Sequence, residues 1–176
     1  MGMATQANAD NGVSPSDIVI RTHRPGDMGY ITYRHGVIYT EEYGWSGNFE
    51  SLAARIGADF LDNFDESKER CWIAERDGQF LGCIMPVKDP KLENTAKIRL
   101  LLVEKAARGS GLGRRLVAET LDFARSAGFV QIVLWTQSIL TGARKIYKSF
   151  GFELIESEEH TSFGTPLTSE SWMLKL

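Results

Sequence analysis

The stretch Ala96-Lys97-Ile98-Arg99-Leu100-Leu101-Leu102-Val103-Glu104-Lys105-Ala106-Ala107-Arg108-Gly109-Ser110-Gly111-Leu112-Gly113-Arg114-Arg115 decides how the chain is read. Its apolar run from Ile98 to Val103 has the length and β-branched ends of a buried strand. The run breaks into a glycine-spaced turn, after which Leu112, Leu116, Val117, Thr120, Leu121 and Ala124 recur at helical spacing. A strand, a glycine turn and a helix N-terminus together make a phosphate-holding device. The first-turn N–H groups have no partner inside a helix, and the macrodipole adds partial positive charge there. Arg108, Arg114 and Arg115 would add full charges around the anion.

A dinucleotide turn would need a third glycine where Arg114 stands, and a Walker A loop would need a Lys followed by Ser or Thr. An ordinary tight strand-to-helix turn is the plain alternative. What remains is Arg108-x-x-Gly111-x-Gly113. A second pattern follows, Ala143-x-x-x-Tyr147-x-x-x-Gly151-Phe152, in which Ala143, Ile146, Tyr147 and Phe150 share a helical face and Gly151 is placed to end the helix left-handed.

Outside these motifs the chain is ordinary for one soluble globular domain: 176 residues, 43% apolar, 24% charged. A net charge of −3 gives no reason to expect nucleic acid as a partner, and no apolar window is long enough to span a membrane. Residues 1–16 are polar and unpatterned and read as a disordered tail. Asp77-Gly78 is a strong hairpin signal, and pairing outward from it sets Trp72 opposite Cys83 and Ile84 opposite Cys71. That register puts the two thiols on opposite faces, free, as suits a reducing, cytoplasmic setting.

In chain order, Ile18 and Ile20 alternate as a first strand. Met28, Ile31, His35 and Ile38 mark a helix, with His35 reading as a packed, hydrogen-bonded histidine. Thr40 to Asn48 reads as a loop rich in aromatics and carboxylates. A second helix carries Phe49, Leu52, Ala53, Ile56, Phe60 and Phe64 as one stripe. After the hairpin, the organising strand and the long helix come a strand from Val130 through Ile132 and Leu134 that ends at Trp135-Thr136-Gln137, the tyrosine helix from Thr141 to Phe150, and strands over Phe152–Ser157 and Ser169–Leu176.

The two glycine-bearing motifs, in this order and context, resemble the acetyl-CoA site of the GNAT acetyltransferase superfamily, over essentially residues 17–176. The resemblance implies an α/β fold: a mixed central β-sheet, helices on both faces and splayed central strands. It implies an N-acetyltransferase that uses acetyl-CoA and no metal; the alternative is a CoA-binding regulatory or sensing module without turnover. By the same resemblance, the cofactor contacts are Leu102, Val103, Arg108, Gly109, Ser110, Gly111, Leu112, Gly113 and Arg114, and Tyr147 is both a cofactor contact and the acid that protonates the departing thiolate. One departure is Leu140, where many relatives carry an Asn; Thr136, Gln137 or Thr141 could supply the missing bond. Glu41, Glu42, Tyr43, Trp45 and His160 are the acceptor-end candidates, with Glu42 taken as the base.

Eight carboxylates face three cations from Thr40 to Arg70, whereas six cations face one carboxylate from Lys97 to Arg115. This split predicts a cationic acceptor, with Lys97 and Arg99 becoming the acceptor contacts if the acceptor is instead an anion. The expected partners are acetyl-CoA and an amine, with a homodimer left open. Glu42-Tyr43-Gly44-Trp45, Leu134-Trp135-Thr136 and His160-Thr161-Ser162-Phe163-Gly164 resemble most closely the acetyltransferase half of MarR-type regulator fusions. The 16 residues ahead of the first strand are too few for a DNA-binding module.

Overall fold

The computed structural model describes residues 17–176. The tail expected over residues 1–16 lies outside the described residues. Seven strands form one sheet in the order β1-β2-β3-β4-β5-β7-β6. In the chain they are β1 Val19–Thr22, β2 Trp72–Arg76, β3 Gln79–Lys88, β4 Thr95–Val103, β5 Gln131–Gln137, β6 Glu153–His160 and β7 Leu167–Lys175. Helices α1 (Asp27–Tyr43) and α2 (Gly47–Asn63) follow β1, α3 (Leu112–Ser126) joins β4 to β5, and α4 (Thr141–Ser149) joins β5 to β6. The expected element order and the mixed α/β sheet are therefore present, with helices on both faces.

Each face buries its own core. On one side Met28, Ile31, Ile38 and Phe60 of α1 and α2 pack on Ile73, Cys83, Met85 and Leu102. On the other, Leu112, Leu116, Val117 and Leu121 of α3 meet Ile84, Ala96, Ile98, Ile132 and Leu134. The i, i+3, i+4 spacing on each helix is what aligns these side chains into one stripe.

β4 and β5 pair in parallel only from Thr95–Ile98 with Gln131–Leu134, and beyond that point they part. This is the expected splay. Just where they separate, β4 carries an extra residue: Cys83 pairs with Leu102, but Met85 pairs with Arg99. Leu100 takes φ 49, a left-handed conformation uncommon for a residue with a side chain. A bulge swaps faces. Ala96 and Ile98 belong to the α3 core, whereas Leu100 and Leu102 belong to the α1–α2 core. β3 approaches this region closely, and a Cβ on Gly82 would lie 2.6 Å from the Leu102 carbonyl oxygen.

Two sequence expectations need correction here. The hairpin turns at Asp77 and Gly78 (φ 51 and 76), but a second bulge shifts the register, so Ile73 pairs with Cys83 and Trp72 with Ile84. A one-residue slip moves every side chain to the other face. Cys71 and Cys83 thus share the α1–α2 core, both buried and free, rather than facing apart. Residues 40–43 are also not loop: α1 runs on to Tyr43 and ends at Gly44, whose φ of 68 forms the left-handed cap.

Candidate active site

The cofactor end is built by the turn before α3. Gly111 caps that helix at φ 83, which a residue with a Cβ adopts only under strain. Among the described residues, the backbone N–H groups of Gly109, Gly111, Leu112, Gly113 and Arg114 have no backbone partner, so they form an open nest of donors at a helix N-terminus. α4 packs tightly beside it, with Ile146 Cδ1 only 2.8 Å from where a Gly113 Cβ would be. Between α4, the nest and the free half of β4 lies a cleft of about 480 Å³, lined in part by Leu102, Val103, Arg108, Gly111, Gly113 and Arg114. A nest of donors at one end of an apolar slot fits a pyrophosphate with an extended tail.

Of the three arginines expected around that anion, only two are placed for it. Arg114 lines the cleft, lies 4.5 Å over the Phe150 ring and donates to Ser149. Arg108 lines it too, but its guanidinium is held by two hydrogen bonds to Glu42 at 2.8 and 2.7 Å. Arg115 points elsewhere, donating to the Ile18 carbonyl 2.8 Å away. Ser110 turns its hydroxyl back to the Ala107 carbonyl.

A second pocket, of about 90 Å³, opens on the α1–α2 side of the splay. His35, Trp45, Arg99, Thr136, Gln137 and Tyr147 contribute to its wall. Tyr39, Leu101, Leu140 and Ala143 border both spaces, so the two meet where β4 and β5 separate. Tyr147 is buried, and burial pushes its hydroxyl well above its ordinary value, so it keeps its proton at neutral pH. Arg144, one turn before it, is not free at the surface. It donates to Glu170 at 2.9 Å, and the same carboxylate accepts from the Trp172 indole, which pins α4 to β7.

The acceptor-end candidates separate in space. Glu42 sits in the last turn of α1 at the cofactor cleft, where the Arg108 hydrogen bonds hold its carboxyl below the usual carboxylate range. Its carboxylate is thus committed to Arg108, less basic than an ordinary one, and absent from the wall of the second pocket. Glu41 is exposed and faces Lys105 at 3.8 Å. Tyr43 lines the cofactor cleft instead of the acceptor pocket. Trp45 is 1% exposed, stacked on Tyr39 at 4.8 Å and edge-on to Phe49 at 4.7 Å, so it walls the pocket instead of offering an open face to a cation. His160 lies behind the pocket, 2.9 Å from Gln137 Oε1.

Thr136 and Gln137 line the acceptor pocket and Thr141 the cofactor cleft, so only Thr141 is on the cofactor side of Leu140. His35 is packed as expected: Nδ1 lies 2.8 Å from the Ile31 carbonyl, and burial pushes its pKa down to about 4. Sequence reasoning had no signal for Tyr39 as a shared wall or for the Leu100 bulge.

Among the described residues no group of three His, Cys, Asp or Glu side chains could hold a metal ion, and no helix is long and apolar enough to cross a membrane.

A sheet split at its centre, a donor nest on one side of the split and a small pocket on the other define the class: an α/β protein whose cleft suits a CoA-like molecule and adjoins a second cavity. Residues 36–152 match the model of the Acetyltransferase (GNAT) family, and the chain belongs to that family. N-acetyltransferase family 8 member 7 of Mus musculus is 31% identical over 130 residues, 72% of this chain and 57% of that protein. The chain spans about half the length of the curated relatives it matches. Among solved structures, a GCN5-related N-acetyltransferase from Kribbella flavida superposes with a TM-score of 0.73 at 22% identity, covering 93% of this chain and 100% of that one. An acetyltransferase from Salmonella typhimurium, solved with its cofactor acetyl-CoA, gives 0.70 at 21% identity over 91% and 94%. At these identities the solved structures speak for the fold.

Proposed function

We propose that residues 17–176 act as one acetyl-CoA-dependent N-acetyltransferase domain that passes the acetyl group directly to an amine in a ternary complex. The observation that carries this reading is the shared wall: the cofactor cleft and the acceptor pocket meet across Tyr39, Leu101, Leu140 and Ala143, with Tyr147 on the acceptor side. Neither substrate has to leave for the other to bind. The solved Salmonella typhimurium relative with acetyl-CoA supports the same choice of acyl donor.

The pyrophosphate is bound by the N–H nest from Gly109 to Arg114, with Arg108 and Arg114 beside it. The pantetheine runs along the free half of β4, where a backbone N–H near Leu102 or Val103 polarises the thioester carbonyl. The neutral amine attacks the carbonyl carbon. A C–N bond forms, the C–S bond breaks, the thiolate takes the Tyr147 proton, and the nitrogen's extra proton passes through water to restore the Tyr147 hydroxyl. The products are the acetamide and CoA with a free thiol.

Among the described residues no carboxylate lines the acceptor pocket. The amine instead loses its proton on entry, because apolar walls and the fixed charge of Arg99 both disfavour an ammonium ion. Thus Tyr147 is the one side chain in direct proton transfer. The stretches that resemble the acetyltransferase half of MarR-type fusions converge on this pocket, with Trp45, Trp135, His160 and Phe163 in ring contact. Two buried free thiols support a reducing, cytoplasmic setting.

The test is CoA thiol release from acetyl-CoA against a panel of amines, wild type beside Tyr147→Phe. The variant keeps the packed ring and loses the proton donor, so turnover should fall by about 10²–10⁴-fold while CoA affinity stays near wild type. Turnover within a few-fold of wild type would remove Tyr147 from the chemistry. No thiol release with any amine, in protein that still binds CoA, would favour the sensing module.

A further inference from the structure

Among the described residues, the acceptor pocket is lined by one arginine and by no carboxylate. Arg99, contributed by the β4 bulge, is the only formally charged side chain lining it among the described residues. Among the described residues, no hydrogen bond or ion pair engages its guanidinium. Its neighbour two residues back is occupied, since Lys97 pairs with Asp89 at 3.4 Å. Asp59 and Asp89 reach Arg99 only through space, and burial dominates its environment. Leaving a half-buried guanidinium unpaired is costly, and proteins keep such charges where a ligand will meet them.

Two further donors, on residues that contribute to the same wall, lack partners among the described residues: the indole Nε1 of Trp45 and the amide Nε2 of Gln137, both atoms themselves closed off and each on a residue 1% exposed. The Gln137 amide cannot simply be turned over. Ser162 N–H can only donate, so His160 Nδ1 accepts from it at 3.2 Å. The neutral ring therefore carries its proton on Nε2 and donates to Gln137 Oε1 at 2.9 Å. That fixes the oxygen toward His160 and leaves the NH₂ group unpaired. His160 is thus a positioning residue, acting through Gln137.

Three unpaired donors, one of them a guanidinium, with no carboxylate among them, are the complement of an anion with several acceptor lone pairs. We propose that the acceptor is an amino acid or a similar amine that carries a carboxylate close to its nitrogen, the carboxylate binding Arg99 with Gln137 and Trp45 as supporting donors. The small volume agrees. A cavity of about 150 Å³ holds a benzene-sized guest, so about 90 Å³ takes the amine–carboxylate head and leaves the rest of the molecule at the mouth. This inference rests on the acetyltransferase reading for the reaction, and it reverses the cationic acceptor expected from segment charges. Three of those eight carboxylates are committed elsewhere: Glu42 to Arg108, Asp65 to Lys88, and Glu69 to the backbone N–H groups of Asp65 and Lys88.

The test compares L-amino acids with their amides and their decarboxylated amines, in matched sets, by thiol release and by direct calorimetric binding to the CoA complex. Each amino acid should exceed its two carboxylate-free partners in kcat/KM by about 10–100-fold, the worth of one charge-assisted hydrogen-bonded pair. In Arg99→Gln that ratio should collapse toward one, and in Gln137→Glu, which sets an acceptor against the carboxylate, it should invert. Because Arg99→Gln removes an unpaired half-buried charge, its melting temperature should hold or rise, which separates loss of binding from loss of fold. Carboxylate-free amines acetylated as fast as their amino acids, or an unchanged ratio in Arg99→Gln, would overturn the carboxylate site and leave the acetyltransferase reading standing. Arg99-dependent binding of amino acids without thiol release would uphold the site and sink that reading.

Discussion

Gly82→Ala tests whether β3 must touch the bulged half of β4. The added Cβ would sit 2.6 Å from the Leu102 carbonyl oxygen, 3.4 Å from Val103 Cα and 3.5 Å from Leu112 Cδ2. Ordinary contact begins near 3.4 Å, so the Leu102 carbonyl has to recede by about 0.8 Å. The obstacle is backbone on a paired strand, and no rotamer change relieves it. Overpacking of this kind costs about 1–3 kcal/mol. At roughly 2–4 °C per kcal/mol for a chain of this size, the melting temperature should drop by roughly 2–12 °C. The functional loss should be larger than the stability loss, because Leu102 and Val103 are the backbone proposed to align the thioester. A displacement near 1 Å at a reacting centre can cost ~10²-fold. The assay is thermal melting with and without CoA, followed by thiol release at saturating acetyl-CoA. We expect a lower apo melting temperature, a smaller CoA-induced rise and turnover reduced by about 10–100-fold. A variant that melts and shifts with CoA like wild type would refute the claim that this strand spacing is fixed by Gly82.

Glu42→Gln should leave turnover at pH 7–8 within about tenfold of wild type, where loss of a true base would cost ~10²–10⁴-fold. Arg108 holds the Glu42 carboxyl below the usual carboxylate range, so whatever the pair contributes is present at neutral pH and is lost only as pH falls through that lowered value. His35 shows the opposite case for a base: its pKa is pushed down from 6.5 to about 4, so the unfolded chain takes up a proton that the native state refuses. Stability should therefore fall as pH drops from 6.5 toward 4, by about 3 kcal/mol at roughly 1.4 kcal/mol per pH unit, and His35→Gln should flatten that slope in urea titrations at pH 7 and 4.5. Equal slopes in the two proteins would contradict this.

The parts of the fold that depend on local pattern were readable. The α3 stripe of Leu112, Leu116, Val117 and Leu121 is buried throughout, Gly111 and Gly151 take the left-handed conformations their positions demand, and the splay follows the glycine-turn motif. What was hidden depends on an extra residue in a strand. The hairpin bulge sits in the apolar run 80–85 of β3, and the Leu100 bulge sits where the Lys97-Ile98-Arg99 alternation gives way to the apolar run 100–103, so neither run marks its own register. Each bulge flips a face, which is why Cys71 and Cys83 meet in one core.

Charge was the quantity segments could not predict, because the ion pairs cross between them. α1 ends on two carboxylates, Glu41 and Glu42, where the helix dipole favours cations, and its last turn contains no basic residue. The compensating charges come from the turn before α3: Lys105 lies 3.8 Å from each of the two, and Arg108 binds Glu42 in a bidentate pair. The acidic excess of residues 40–70 and the basic excess of residues 97–115 therefore partly cancel against each other at the cofactor cleft. Arg99, whose formal charge the segment count assigned to the cofactor end, is left facing the other pocket with no counter-ion among the described residues. A pyrophosphate entering the nest must share Arg108 with Glu42, while an anionic acceptor entering across the splay meets Arg99 uncontested. Donor and acceptor sites are thus kept electrostatically separate across one sheet, and it is the acceptor side that holds the unshared positive charge.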